Sequence, residues 1–349
     1  MANGSNERDA GGLSRRACLQ YGALSLSLPL LGGTMLSGAT PALAQAMTAP
    51  EGPVEITVGS GPGATPDVIM RRVARILNDE KLVPNPIVVQ NRTGGGWTVA
   101  AKYVLGHAGN KNILFGIVPT VFATPIVQGQ PNTFEKVTPL AMLAKMELLV
   151  IVRADSPMKN LADFVAEAKK GERTVAMAGA NVGSTDHIVN SLIERAGNVK
   201  LNYVPFDGGG GQVISALLGG TVNAIVLPPD EAWPLVEGKK AKAIAVLSDK
   251  HLAFPQFADV PTAREAGLDV IWNSYYGIAA VPDLDPAVTA WWIDKLTKMA
   301  ASPAWDKMLQ EAFLSGAFVS GNEAKATMQQ IYGRFSTVLG ELGLAKKSG

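Results

Sequence analysis

The sequence contains few of the residues that carry covalent or metal chemistry. Its one cysteine, Cys18, lies near the N-terminus, so the rest of the chain has no disulfide, thiol nucleophile or thiolate metal ligand. The three histidines are far apart and form no His-x-x-x-His pair. No Gly-x-Ser-x-Gly nucleophile turn occurs either. We therefore expect neither a metal nor an organic cofactor, and we do not expect an enzyme.

An excess of charge of one sign is also lacking. Lys and Arg total 31 while Asp and Glu total 30, so no overall positive field attracts nucleic acid. With 349 residues, of which 47% are hydrophobic, the chain exceeds the usual size of a domain with a single core. We therefore expect two domains and no nucleic-acid partner.

The first 46 residues resemble a twin-arginine signal peptide. Arg15 and Arg16 precede an apolar run over residues 24–36 that Gly and Ser dilute, and an Ala-x-Ala sequence follows at residues 42–44. No later uncharged segment is long enough to span a bilayer. We therefore expect residues 1–46 to be removed on export and the mature protein to be periplasmic.

The remaining sequence alternates short β-branched runs, turns rich in glycine, and amphipathic segments, which predicts a doubly wound α/β fold. Two strand-like runs, at residues 148–152 and 277–282, are interpreted as crossings between domains. These crossings predict a first lobe of residues 47–149 plus 275–349 and a second lobe of residues 150–274. The segment after Trp291 is predicted to be helical. Two crossings between discontinuous lobes favour a hinge that closes over a ligand.

Four turns share a composition that suits an anion. They cover residues 59–67, 92–96, 179–187 and 206–211, and most of them follow a predicted strand and open a helix. Such a turn presents unpaired backbone N–H groups at the positive end of the helix dipole, and glycine allows close approach. In an open α/β sheet these turns lie at the carboxyl ends of the strands, where ligands bind. The turns predict an anion held by backbone amides and hydroxyls, with little help from Lys or Arg.

Other interpretations of these residues remain open at this point. Gly59, Gly61 and Ala64 match a dinucleotide fingerprint, but the next predicted strand ends without the acid that would bind a ribose hydroxyl. Capping of a helix is the preferred explanation for Asp67 and Asp207, with ligand binding as the alternative. Asp186 is either a cap or a ligand contact, and Tyr276 either packs between the lobes or faces the ligand.

Five ordered motifs from about Val54 onward resemble the substrate-binding proteins of tripartite tricarboxylate transporters, also called Bug receptors. The motifs cover residues 61–67, 88–96, 182–187, 204–220 and 259–267. The resemblance implies a two-lobed periplasmic binding protein of type II, the Venus-flytrap fold, with two crossing strands. It also implies that turns of both lobes hold a small carboxylate before delivery to a membrane permease. We expect a monomer.

The sequence departs from the family pattern at several positions. Gly59 and Ser60 replace the usual Pro and aromatic residue, Trp97 stands where a small residue is common, and Tyr276 stands where related sequences often carry Arg. The missing cation favours a monocarboxylate or dicarboxylate over a tricarboxylate. An α/β enzyme acting on a small organic acid, or a ligand-sensing partner of a membrane signalling protein, are the alternative functions. The predicted ligand-binding residues are Ser60, Gly61, Gly63, Thr65, Asp67, Thr120, Gly183, Ser184, Thr185, Asp186, Asp207, Gly208 and Tyr276.

Overall fold

The structure is a computed structural model, and it describes residues 49–180, 182–206 and 210–346. The predicted signal segment therefore lies outside the described residues, as do Asp207 and Gly208 of the predicted site. The described strands form two separate sheets of six and five strands, which we call sheet 1 and sheet 2. None of the described helices is both long enough and apolar enough to cross a membrane.

Sheet 1 contains the first and the last strands of the described chain. In spatial order its strands are β11 (Ser315–Ser320), β4 (Thr138–Met146), β10 (Ser274–Ala280), β3 (Ile113–Ile117), β1 (Val54–Val58) and β2 (Ile87–Asn91). β1 pairs in parallel with β2 and β3, so that Ile56 lies opposite both Val89 and Leu114. β10 and β11 are antiparallel to their neighbours. The carboxyl ends of β1, β2 and β3 therefore meet at one edge of the sheet.

Sheet 2 is formed by a continuous stretch of the chain. In spatial order its strands are β7 (Asn202–Pro205), β6 (Ala176–Gly179), β8 (Ala224–Leu227), β5 (Leu149–Arg153) and β9 (Ala241–Val246). β6 pairs in parallel with β7 and β8, whereas β5 is antiparallel to β8 and β9. The turns after β6, β7 and β8 therefore share one edge of sheet 2.

Ten α-helices of the described residues cover the sheets, and most connect one strand to the next. They are α1 (Thr65–Asp79), α2 (Thr98–Leu105), α3 (Pro119–Gln128), α4 (Leu161–Ala168), α5 (Thr185–Gly197), α6 (Gly210–Leu218), α7 (Pro229–Glu237), α8 (Pro286–Ala300), α9 (Pro303–Glu311) and α10 (Gly321–Glu341). In α1, Pro66 lies in the first turn, where a missing N–H costs nothing. Ile69, Val73 and Ile76 lie three or four residues apart and are buried.

The chain passes between the sheets twice. Glu147 and Leu148 connect β4 to β5, and residues 247–273 connect β9 to β10. The two passages touch each other, because the amide of Leu247 donates to the carbonyl of Leu148 at 2.8 Å. The ammonium of Lys145 lies 3.5 Å from the carboxylate of Asp249, which adds a polar contact across the passages. The lobe boundaries at 149/150 and 274/275 stay a prediction beside these passages.

Several strands depart from the parallel arrangement that is typical of the predicted doubly wound fold. β4 and β11 were not expected, and the C-terminal segment that was predicted to be helical contains β11 between α9 and α10. The run at residues 148–152 is β5, the antiparallel partner of β8 and β9, while β10 begins three residues before the predicted run at 277–282. Both sheets are therefore mixed.

Candidate functional site

The first turn lies between β1 and α1 and is fixed by one buried carboxylate. Asp67 is 1% exposed, and its Oδ2 accepts from the amide of Gly63 at 2.9 Å and from Nε of Arg71 at 3.0 Å. Nδ2 of Asn91 donates to Oδ1 of Asp67 at 2.7 Å and to the carbonyl of Ser60 at 2.9 Å. Burial alone would raise the pKa of Asp67, but these hydrogen bonds outweigh burial and lower it. Asp67 therefore shapes the turn.

The same turn leaves several donors open. Among the residues that the structure describes, the amides of Gly61, Thr65 and Asp67 have no hydrogen-bond partner. The hydroxyl oxygen of Ser60 is buried and is also unpartnered within the described chain. These groups lie at the N-terminus of a 15-residue helix, where the dipole and the free amides favour a negative charge.

Trp97 lies against the back of the first turn. A Cβ on Gly59 would come within 2.5 Å of the Trp97 ring, so only glycine allows this approach. The indole is 6% exposed and packs edge-on against Phe115, with 5.9 Å between the ring centroids. Trp97 therefore braces the turn from the core of sheet 1.

The second turn lies between β6 and α5 in sheet 2. Ser184 is the N-cap of α5, and its Oγ accepts from the amide of His187 at 3.4 Å. Nδ1 of His187 accepts from the amide of Gly183 at 3.0 Å, so this nitrogen carries no proton. The carboxylate of Asp186 accepts from the amide of Ala180 at 2.8 Å. Burial raises the pKa of Asp186 and lowers the pKa of His187.

Two further acids lie at the start of α7, directly after β8. Both keep exposed surface, yet desolvation raises the pKa of Asp230 and the pKa of Glu231, and Asp230 and Asp186 raise the pKa of Glu231 further. Burial is the main cause that raises the pKa of Tyr276 in β10, and these two acids add to it. Asp186 and Asp230 thus act electrostatically on Glu231, and Asp230 and Glu231 act on Tyr276 of sheet 1.

A cavity of about 260 Å³ lies between elements of the two sheets. Gly63, Thr65 and Arg72 line it from the first turn and α1, Met146 lines it from the end of β4, and Asp230 lines it from α7. Nη1 of Arg72 is buried and has no hydrogen-bond partner among the described residues. The cavity therefore brings Thr65, whose amide is one of the open donors of the first turn, together with an unsatisfied cation and an acid. We call it the interlobe cavity.

The predicted site residues are only partly brought together. Gly63 and Thr65 line the interlobe cavity, whereas Thr120 lines a different cavity of about 310 Å³ between α2 and α3. Tyr276 is 5% exposed, with its hydroxyl 4.0 Å from the sulfur of Met146, so the phenol lies in the core. Six other predicted residues lie in or beside the two turns: Ser60, Gly61, Gly183, Ser184, Thr185 and Asp186. Their roles in binding stay predictions.

Arg72 and Asp230 were missed by the sequence analysis. A usable signal existed for Arg72, because it lies three residues after Ile69 and four before Ile76, on the inward side of α1. Asp230 follows Pro228 and Pro229 instead of glycine, so the search for glycine-rich turns did not find it. Among the described residues, no group of three or more His, Cys, Asp or Glu side chains is arranged to hold a metal ion.

The sequence profile of the tripartite tricarboxylate transporter family receptors, TctC, matches residues 69–344. The chain belongs to this family. It is 25% identical over 310 residues to a Cupriavidus necator protein named "UPF0065 protein in gbd 5'region", covering 88% of this chain and 93% of that one. It is 26% identical over 267 residues to Protein BugT of Bordetella pertussis, covering 75% and 80%. The predicted resemblance to Bug receptors is thereby confirmed.

Solved structures of receptors of this kind share the fold. A TctC solute-binding protein from Polaromonas superposes with a TM-score of 0.73 at 24% identity, covering 84% of this chain and 99% of that one. A Rhodopseudomonas palustris protein with adipate gives 0.70 at 22% identity, covering 85% and 99%. MatC of the same organism with bound malate gives 0.64 at 23% identity, covering 83% and 99%. The predicted two-lobed type II fold of periplasmic binding proteins is confirmed.

Proposed function

We propose that this receptor is exported to the periplasm, captures a small carboxylated compound between its two lobes, and delivers it to a tripartite tricarboxylate-type permease. Capture occurs by closure about the two passages between the sheets. The receptor works as a monomer without a cofactor, and the bound compound leaves unchanged.

The open donors of the first turn carry this proposal. The amides of Gly61, Thr65 and Asp67 and the hydroxyl of Ser60 lack partners among the described residues, and they lie at the N-terminus of α1. A carboxylate satisfies several such donors at once and is favoured by the helix dipole. The ligand class also agrees with the malate and adipate held by the two Rhodopseudomonas palustris proteins of the same fold.

A ligand screen tests the proposal. Thermal unfolding of the purified protein is followed in the presence of monocarboxylates, dicarboxylates, tricarboxylates, amino acids and nicotinamide compounds. A carboxylate that binds only the folded protein stabilises it by about 2.7 kcal/mol at a hundredfold excess over its dissociation constant. Chromatography after incubation shows whether the compound is recovered intact. Stabilisation by a nicotinamide dinucleotide alone, or conversion of the bound acid, contradicts the proposal.

Gly61 gives a sharper test of where the carboxylate binds. A Cβ on Gly61 meets no protein atom within 4 Å, so Gly61→Ala leaves the fold intact. The added methyl group occupies space that a carboxylate on the turn needs, and we expect the dissociation constant measured by calorimetry to rise at least tenfold. Gly340→Ala in α10 is the matched control, because its Cβ also meets no atom within 4 Å. Equal affinities of the two variants would move the carboxylate away from this turn.

A further inference from the structure

Arg72 presents an unsatisfied cation to the interlobe cavity. Its Nη1 is buried and has no hydrogen-bond partner among the described residues, although a guanidinium donates readily to any acceptor within reach. Buried polar groups without partners are uncommon, and at a cavity such a group indicates an acceptor that arrives with a ligand. The neighbouring Arg71, in contrast, is bound to Asp67 and Asn91.

The charges around the cavity make Arg72 the group that accepts an anion. Asp230 and Glu311 line the same cavity, and both are acids that repel a carboxylate. Glu311 lies 3.8 Å from the ammonium of Lys307, whereas the influence of Arg72 on the pKa of Asp230 is the smallest of its causes. Arg72 is therefore a cation that lines this cavity and forms no close ion pair with an acid of the described chain.

The position of Arg72 on α1 fixes which part of a ligand it meets. Thr65 and Arg72 are seven residues apart on one helix, a rise of roughly 10 Å. Arginine side chains on a helix lean toward its N-terminus, so the distance from the guanidinium to the first turn is shorter than this rise. Both residues line the interlobe cavity, whose volume of about 260 Å³ limits the ligand to a small molecule.

From these observations we infer that Arg72 binds the second carboxylate of a short dicarboxylate whose first carboxylate occupies the turn before α1. The planar guanidinium matches a carboxylate with two parallel N–H donors, which an isolated ammonium cannot do. Arg72 thereby supplies, from the first helix, the cation that Tyr276 does not supply in β10. This inference rests on the proposed function and adds the selection of diacids over monoacids.

Calorimetry on the full receptor tests the inference with matched pairs of acids. Succinate, glutarate and adipate are compared with butyrate, valerate and hexanoate, which have the same chain lengths but one carboxylate. The wild-type protein is expected to bind one diacid at least tenfold more tightly than its matched monoacid. Arg72→Gln is expected to weaken diacid binding by about 10- to 100-fold, which corresponds to one charged hydrogen-bonding group. Monoacid binding stays within twofold.

Two further variants distinguish the effect of the charge of Arg72 from the effect of its paired donors, and from a general effect of mutating α1. Arg72→Lys keeps the charge without the paired donors, so its diacid affinity lies between those of the wild type and Arg72→Gln. Arg75→Gln is the matched control, because Arg75 lies on the same helix with its side chain 81% exposed. It retains wild-type affinities. Unfolding curves without ligand establish that every variant is folded.

Each outcome decides a specific point. A wild-type protein that binds diacids and monoacids equally, or an Arg72→Gln variant that weakens both series equally or neither, overturns the inference while the receptor function stands. Failure of every acid to bind the wild-type protein overturns both. Loss confined to the diacids in Arg72→Gln, with Arg75→Gln unchanged, supports the assignment of Arg72 to the second carboxylate.

Discussion

At the residue scale, Gly179 is the point where the second turn permits no side chain. A Cβ at this position would lie 2.3 Å from Cβ of Asp186 and 2.6 Å from the hydroxyl of Tyr203. Gly179→Ala therefore displaces the group that accepts from the Ala180 amide, and we expect a loss of about 1–3 kcal/mol in the free energy of unfolding. Urea denaturation measures it.

The control for this substitution is Gly333→Ala in α10, whose Cβ would meet no protein atom within 4 Å. Alanine is the better helix former there, so this variant is expected to gain about 0.5–1 kcal/mol. A Gly179→Ala protein as stable as wild type would show that Asp186 and Tyr203 shift without cost. The second turn would then be more plastic than its close contacts indicate.

The residues of the candidate site also show which contacts can be predicted from the sequence alone. Gly63 and Thr65 were predicted because turn composition is local, and the structure places both at the interlobe cavity. Arg72 was missed because an arginine near the edge of an apolar helix face usually reaches water. Nη1 is buried beside a cavity that is also lined by Asp230 of α7 and by the segment before β11, and these elements come from distant parts of the sequence.

At the element scale, Ser184 couples the stability of α5 to the second turn. Its Oγ caps the helix and also lies 3.3 Å from the hydroxyl of Tyr203. Ser184→Ala is expected to cost about 1 kcal/mol in the free energy of unfolding and to weaken carboxylate binding, since the capped helix end faces the cleft in the proposed function. Urea denaturation and calorimetry measure the two effects.

Asn160→Ala provides the matched comparison. Asn160 caps α4 by accepting from the amide of Asp163 at 2.9 Å, so its loss destabilises the protein by a similar amount. It lies in neither turn, and the ligand affinity is expected to stay unchanged. Equal effects of both variants on affinity would mean that α5 contributes stability and no contact to the ligand.

Strands were predicted correctly where the local sequence pattern is strong, and they were missed where pairing with other strands determines the secondary structure. β1 alternates apolar and polar residues and β3 is a short apolar run, and both patterns are typical of strands. β4 contains Leu, Ala, Met and Lys, which favour helices, and it is a strand because β10 and β11 pair with it on both sides. β11 contains two serines and a glycine, so its sequence carries little strand signal. These segments lack a local strand signal, and hydrogen bonding to strands that are distant in sequence makes them strands.

At the scale of the whole molecule, the chain passes between the two sheets at two adjacent places, which act as the hinge in the proposed function. Backbone pairing of Leu247 with Leu148 and the contact of Lys145 with Asp249 hold the passages side by side. Saturation with a bound carboxylate is expected to reduce the radius of gyration measured by small-angle X-ray scattering, because closure brings the lobes together. Gly61→Ala, held at a ligand concentration that leaves it mostly unbound, is expected to keep the larger radius. An unchanged radius on saturation of the wild type would exclude large closure.

The arrangement of the strands also dictates the order in which the chain can fold. Every strand of sheet 2 lies between Leu149 and Val246, so this sheet is complete as soon as that stretch is available. Sheet 1 cannot be completed before β10 and β11 are available, because these two strands are the pairing partners of β4. Contacts between distant segments form slowly, and refolding is therefore expected in two phases. The lobe that contains the N-terminal strand is the last to be finished.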